Sequence, residues 1–354
     1  MEPLKGGNSL GVLLPNTKIY GGVKRFLEIG NNCCALGHRF YIFTPDGQKP
    51  TWFPFKGEVR KFDDLEDTPL DLLVFGQVDL LPHALTAKVE KIFFYMINPK
   101  EKLGKLTKYP HIKFFANSSG IQDFAQKKYG IASVAAFGGI NLERFPLRSK
   151  VHKSKDAPFV VMVYGRISKP KKGTMKVVNA CEKLYRSGHN VRLLLFDSPT
   201  DAKAERAIEK FSTKVPYDFV LNHPVEKNYE LYHRADVFVS AESSGGWSNT
   251  SAEAMACGVP VIATEVGTRD FLIPNQTGIL LAGRRVKTIK SAIEQVMGDE
   301  EQLSLFAQEG RKQIEKYDWR LVTDNVLAAT SLTSMLHDST RMTDCSSKLL
   351  AKRS

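Results

Sequence analysis

Three stretches of this 354-residue chain carry side chains whose type and spacing suit a phosphorylated ligand. The first runs Gly165-Arg166-Ile167-Ser168-Lys169-Pro170-Lys171-Lys172-Gly173-Thr174. Arg166 offers a planar fork to phosphate oxygens, and Lys172 supplies a point charge close by. Four cations within seven residues repel one another unless an anion joins them, although a solvated basic loop has the same composition. The second stretch, Ser240 to Val261, is a Gly- and hydroxyl-rich loop feeding a short helix that Gly258 ends and Pro260 follows. Free N–H groups at that helix start can hold a phosphate, and Glu253 can accept hydrogen bonds from sugar hydroxyls. Thr250-x-x-Glu253 also fits a capping box, in which Glu253 would only satisfy its own helix start. The third stretch is Tyr20-Gly21-Gly22-Val23, whose paired glycines let backbone N–H groups approach a ligand. It is neither GxGxxG nor a Walker loop, which argues against a dinucleotide or ATP site, and glycines at such a turn also serve packing alone.

The elements that must position these residues alternate along the chain. Strand-like apolar runs fall at 9–15, 40–45, 70–76, 91–97, 112–118 and 131–137, and again at 158–165, 191–197, 236–240 and 259–265. Helical spacing separates nearly all of them; Val23, Phe26, Leu27, Gly30, Cys33 and Cys34 are the first such set. Strand–helix alternation at this length predicts parallel sheets covered on both faces. The polar stretch 147–158 divides two series, which predicts two doubly wound domains. The expected boundaries are 1–150 and 151–317, with a last helix at about 318–336 packing back on the first domain and a mobile tail over 337–354. In such sheets ligands bind beyond the carboxyl ends of the strands, and all three stretches follow a strand.

Composition narrows the partners. The hydrophobic fraction of 42% with 25% charged residues is ordinary for a globular chain and excludes wholesale disorder. The net charge of +12 is uneven: residues 101–200 hold 19 Lys and Arg against 6 Asp and Glu, and the rest of the chain is nearly balanced. That excess calls for an anionic partner. No apolar run reaches the ~20 residues that span a bilayer, and the segment at 10–15 reads as a first strand rather than a signal peptide. The cysteines (Cys33, Cys34, Cys181, Cys257, Cys345) form no CxxC pair or zinc spacing, so buried free thiols in a reducing cytoplasm are expected.

Taken together, the motifs resemble those of the family 4 retaining glycosyltransferases of the GT-B fold. The matching residues are Gly21-Gly22-Val23, Gly37-His38, Asn117-Ser118, the turn from Gly139 to Phe145 with Asn141 at its third position, Gly165-Arg166 with Lys172-Gly173, and Glu253 through Val261. They run in family order from residue 21 to about 281. The resemblance implies an α/β fold of two Rossmann-like doubly wound parallel-sheet domains facing a cleft, with a UDP- or GDP-sugar donor on the second and an acceptor on the first. It makes Arg166 and Lys172 the clamp on the donor diphosphate and gives Glu253 the ribose hydroxyls. Backbone N–H groups around Ser248, Asn249 and Thr250 would touch the distal phosphate, the Gly21-Gly22 loop would close over the diphosphate, and Pro224 and Val225 would contact the base.

Two departures from the family pattern matter. A first glutamate is expected eight residues before Glu253, where this chain has Gly245. Glu242 would replace it if the Gly245-Gly246 loop folds back; otherwise Trp247, Ser248 and backbone groups would hold the sugar. After the strand at 91–97 the chain reads Asn98-Pro99, with no general base. The leaving phosphate can then accept the proton itself, and chemistry rests on electrostatic stabilisation and orientation. No metal is expected, because fixed cations neutralise the diphosphate, and no cofactor beyond the sugar-nucleotide substrate. The acceptor is expected to be a carbohydrate or lipid-linked. The lysines at 100, 102, 105, 108, 113, 127 and 128 suggest peripheral contact with an anionic membrane, on the inner face from the cytoplasm. Rival readings are an inactive donor-binding module and a GT-B epimerase or phosphorylase. A nucleic-acid surface is a third, which lacks any RRM, KH or helix-turn-helix signature and interleaved aromatics.

Overall fold

The computed structural model describes residues 7–98, 102–149, 154 and 156–332. Lys100, Lys150, Lys153, Lys155, Cys345 and the tail from His337 lie outside the described residues. Two all-parallel sheets form the frame. In the first, β1 (Ser9–Leu13), β2 (Arg39–Thr44), β3 (Glu58–Lys61), β4 (Leu72–Phe75), β5 (Lys91–Met96), β6 (Ile112–Ala116) and β7 (Val134–Ala135) lie in the order β3-β2-β1-β4-β5-β6-β7. In the second, β8 (Phe159–Tyr164), β9 (Val191–Asp197), β10 (Tyr217–Leu221), β11 (Val237–Ser240), β12 (Val261–Ala263) and β13 (Gly278–Leu280) lie in the order β10-β9-β8-β11-β12-β13.

Strand periodicity fixes the layers. Leu72 and Val74 of β4 enter one core and Leu73 and Phe75 the opposite one. Leu193 and Leu195 of β9 likewise part from Leu194 and Phe196. Both faces must therefore be covered, which is why these strands read as continuous apolar runs. Covering the first sheet are α1 (Gly21–Ala35), α2 (Leu81–Thr86) and α3 (Ser119–Tyr129). The second sheet has α4 (Thr174–Arg186), α5 (Ala202–Glu209), α6 (Asn228–His233), α7 (Asn249–Ala256), α8 (Val286–Val296) and α9 (Glu300–Ile314). Cys33, Cys181 and Cys257 are buried free thiols whose pKa values burial pushes up, so they stay protonated and inert. No described helix is long and apolar enough to cross a membrane.

Three strands escape the sequence reading: β3, β10 and β13. β3 (EVRK) and β10 (YDFVL) are edge strands with charged or exposed positions, and β13 has three residues. The run at 131–137 pairs only over Val134–Ala135, also at an edge.

The last helix, α10 (Trp319–Ala329), belongs to the core of the first sheet, where Trp319, Val322, Val326 and Leu327 pack with Phe26 and Cys33 of α1. The chain returns beside the point where it left. Ile140 N–H donates to the Tyr317 carbonyl at 2.9 Å, and Trp319 N–H donates to the Ile140 carbonyl at 3.0 Å. A Cβ on Gly139 would lie 2.5 Å from the Trp319 ring, and one on Gly138 would lie 2.0 Å from the Trp247 ring. Glycine is thus required for both indoles to reach the crossing. Trp319 is 4% exposed, so Trp319→Ala removes a buried indole that no neighbour can replace. We expect a loss of about 3–5 kcal/mol in denaturant unfolding.

Candidate functional site

A cleft of about 420 Å³ lies between the carboxyl ends of the two sheets. Its second-domain wall includes Arg166, Lys172, Val225, Glu242, Trp247 and Glu253, and its first-domain wall includes Tyr20, Gly21, Lys24 and Trp52.

Arg166 follows β8, and its guanidinium is fixed on two sides. Nε donates to Asp197 Oδ1 at 2.9 Å, and Nη2 donates to the Tyr164 hydroxyl at 2.6 Å and the Ser198 carbonyl at 3.3 Å. Burial alone would disfavour the charge on Arg166, but Tyr164 and Asp197 outweigh it and raise its pKa. Lys172 ends the same loop, and its Nζ lies 2.7 Å from Glu242 Oε2. Gly173 makes this contact attainable. Its φ of +75° is left-handed, and a Cβ there would lie 2.2 Å from the Ala241 carbonyl. The Ser243 N–H donates to the Lys171 carbonyl at 2.9 Å, so the loops after β8 and β11 brace each other. Lys169 also lines the cleft, whereas Lys171 is not among its lining residues.

Glu253 sits on α7 and is 4% exposed. Its Oε1 lies 2.6 Å from Lys24 Nζ of α1, and its Oε2 accepts from the Tyr232 hydroxyl at 2.9 Å. The capping-box arrangement is therefore absent: α7 starts after Ser248 with no side-chain cap, and Glu253 faces the other domain. The first turn of α1 also lacks a side-chain cap, and a Cβ on Gly21 would lie 2.8 Å from Asn249 Nδ2. Two helix N-termini thus converge on the cleft, each presenting unpaired N–H groups and a positive dipole end. Between them the site can hold a doubly charged anion.

The predicted residues do not all gather here. Arg166, Lys172, Glu242, Gly21, Val225, Trp247, Ser248, Asn249, Thr250 and Glu253 line the cleft. Gly22 lies instead on a neighbouring cavity of the first domain, because a glycine pair in a helical first turn points to two sides. Gly246 is also displaced: a Cβ there would meet Asn117 at 2.3 Å, so it borders α3 rather than the cleft. A Cβ on Gly245 would lie 3.4 Å from Glu242 Oε2, so the Glu242 carboxylate stands beside position 245. Sequence reasoning missed Asp197, Tyr164, Lys24, Trp52 and His223. Asp197 had a signal, as an acidic residue ending a strand. Trp52 had none, because a loop brings it to the cleft through a Trp52 Nε1 bond to the Thr17 carbonyl at 2.8 Å.

Beneath the cleft, Glu28 of α1 pairs with Arg144 at 2.9 Å and is buried. Burial raises its pKa above 4.5 against the opposing pull of Lys24 and Arg144. The folded state then binds the proton more tightly than the unfolded chain, so this group's contribution falls as pH rises from the ordinary value through the raised one. Glu28→Gln removes the titration. Melting temperatures compared across that range should shift in favour of the variant as pH rises; a constant difference would refute the assignment.

The paired parallel sheets facing an interdomain cleft form the GT-B architecture. Residues 145–313 match the family described as Glycosyl transferases group 1, a similarity confined to the second-domain part of the chain. Among relatives, the capsular polysaccharide biosynthesis glycosyltransferase CapM of Staphylococcus aureus is 30% identical over 197 residues, 54% of this chain and 51% of that protein. A D-inositol 3-phosphate glycosyltransferase of Rhodococcus erythropolis is 27% identical over 176 residues, 48% of this chain and 40% of that one. The matched segments thus cover about half the length of these curated relatives or less. Among solved structures, a glycosyltransferase from Rickettsia africae superposes with a TM-score of 0.73 at 16% identity, over 92% of this chain and 98% of that one. Anabaena HepE in complex with UDP-glucose superposes with a TM-score of 0.72 at 13% identity, over 92% of this chain and 100% of that one. At these identities the likeness shows the shared fold.

Proposed function

We propose that this chain transfers a sugar from a nucleotide-sugar donor held on the second domain to an acceptor hydroxyl presented by the first, with retention of anomeric configuration and without a metal ion. The observation that carries the reading is the convergence of Arg166, Lys172 and two uncapped helix N-termini on one cleft. In the reaction, the bond between the anomeric carbon and the diphosphate breaks with its electron pair leaving on phosphate oxygen. The acceptor oxygen bonds to the anomeric carbon from the same face, and its proton passes to the leaving diphosphate. Arg166 and Lys172 meet the charge that develops there. Glu253 takes the ribose hydroxyls, Val225 borders the base, and Glu242 serves the sugar hydroxyls in place of a carboxylate at position 245. HepE was solved with UDP-glucose and CapM is named for capsular polysaccharide, so a UDP-sugar and an acceptor in polysaccharide, cell-envelope or glycolipid assembly are the first to test; GDP-sugars are the alternative donors.

Arg166→Ala and Lys172→Ala should each lower kcat by about 100-fold or more while thermal melts stay cooperative. Product NMR should show a retained anomeric configuration, and EDTA should leave turnover unchanged. Turnover of donor without acceptor into an epimer would favour an epimerase, and UDP binding without any turnover would favour an inactive binding module.

A specific surface supports a peripheral membrane contact. Lys102, Lys105, Lys108, Lys113, Lys127 and Lys128 are exposed around α3 and β6, the strand next to the edge, where the described acidic residue Asp123 is engaged by Arg269 at 2.8 Å. Each basic residue near an anionic surface contributes about 1 kcal/mol. Co-sedimentation should therefore rise with the phosphatidylglycerol content of vesicles and fall with salt. Indifference to both removes the contact.

A further inference from the structure

A second cavity of about 420 Å³ opens within the first domain, beside the charged cleft. It lies beyond the carboxyl ends of β1, β4 and β5, where the strand order reverses between β1 and β4. Pro15, Tyr20 and Ile97 give it apolar surface over the buried side chains of Leu13, Leu14, Val23 and Phe26, and Asn16, Gln77 and Asn98 supply polar side chains. Two glycines border it beside Ile97: a Cβ on Gly76 would lie 3.3 Å from Ile97 Cδ1, and one on Gly22 would lie 3.6 Å away, in ordinary contact. Tyr20 lines both spaces, so the first turn of α1 is the partition, with Gly21 on the cleft and Gly22 on the cavity.

The two spaces differ in chemistry. The cleft carries Lys24, Arg166, Lys169, Lys172, Glu242 and Glu253, whereas none of the described residues lining the cavity is Lys, Arg, His, Asp or Glu. A phosphate placed in the cavity would lose its water and meet no cation among the described lining residues. An apolar group would lose only unfavourable contact with water. The volume falls within the roughly 300–1,000 Å³ of ordinary ligand pockets. We propose that this cavity receives an uncharged alkyl or aryl group of the acceptor, whose hydroxyl reaches the donor past Tyr20, and that it selects against an acceptor phosphorylated on that side. The proposal rests on the donor reading above for the order of the two substrates, and its test separates the two.

Isothermal titrations of the full chain with methyl β-glucoside, hexyl β-glucoside and glucose 6-phosphate, each with and without UDP, read the preference directly. Hexyl β-glucoside should bind at least tenfold more tightly than methyl β-glucoside, and glucose 6-phosphate no more tightly than the methyl compound. Ile97→Trp, which fills the cavity, and Ile97→Gln, which makes it polar, should each abolish the hexyl advantage with the UDP Kd changed less than twofold. Equal or absent binding of the hexyl compound, tighter binding of the phosphate, or a hexyl advantage that survives both variants would overturn the proposal. Failure of UDP to bind would strike the donor reading instead, since the acceptor comparison stands without it.

Discussion

Charge compensation inside the cleft is the constraint around which this molecule is arranged. Arg166, Lys172 and Lys24 would repel one another across a partly dry space, and each is instead held by a carboxylate: Asp197, Glu242 and Glu253. Removing two opposite charges from water is costly, so each pair persists only where further hydrogen bonds complete it. Tyr164 and Ser198 do this for Arg166, and Tyr232 does it for Glu253. The result is a cation set pre-aimed before any ligand arrives. Any anion entering the cleft would compete with carboxylates already in place, and the uncapped N-termini of α1 and α7, whose first turns hold no acidic residue, add attraction of their own.

These pairings explain which parts of the site the sequence disclosed. Strand and helix alternation arises from local periodicity, so the two sheets and the positions of Arg166 and Glu253 after strands were legible. The partners were not, because they stand 31, 70 and 229 residues apart in the chain. Glu253 is the sharpest case. Local spacing fits a capping box, yet the side chain turns across the domain boundary to Lys24, since a half-buried ammonium makes a stronger, charge-assisted bond than a neutral N–H at its own helix start. Edge strands were missed for the opposite reason. β3 and β10 lack the continuous apolar face that identifies a strand covered on both sides, and only the partner strand defines them.

The crossing at Ile140 and Trp319 gives the cleft its walls. α10 follows the second-domain helices in sequence but packs on α1, so the first domain is completed by the end of the described chain. Backbone bonds between Ile140 and residues 317 and 319 tie the outgoing and returning segments together. Gly138 and Gly139 admit Trp247 and Trp319 at distances that any Cβ would forbid. Trp247 also stacks near Phe271 and Tyr317, with ring centroids 4.7 and 5.1 Å away, so a residue lining the cleft is seated against the crossing itself. A shift of one domain against the other must therefore move a wall of the site.

Within this frame the division of labour between the domains follows from the lining chemistry. The second domain supplies most of the fixed charge, and the motif-bearing loops after β8 and β11 deliver it. The first domain contributes Tyr20, Gly21, Lys24 and Trp52 to the cleft and keeps, behind the same helical turn, a cavity whose described lining carries no charged side chain. Charged residues that must converge on one cleft obey narrow geometry, which is why they fall in recognisable motifs. Residues that accommodate an apolar group need only volume and the absence of charge. Leu13, Val23, Phe26 and Ile97 satisfy that condition as ordinary core residues do, and nothing in their spacing separates them from the core. Only the three-dimensional gap beside Gly22, Gly76 and Ile97 distinguishes a cavity from a packed interior.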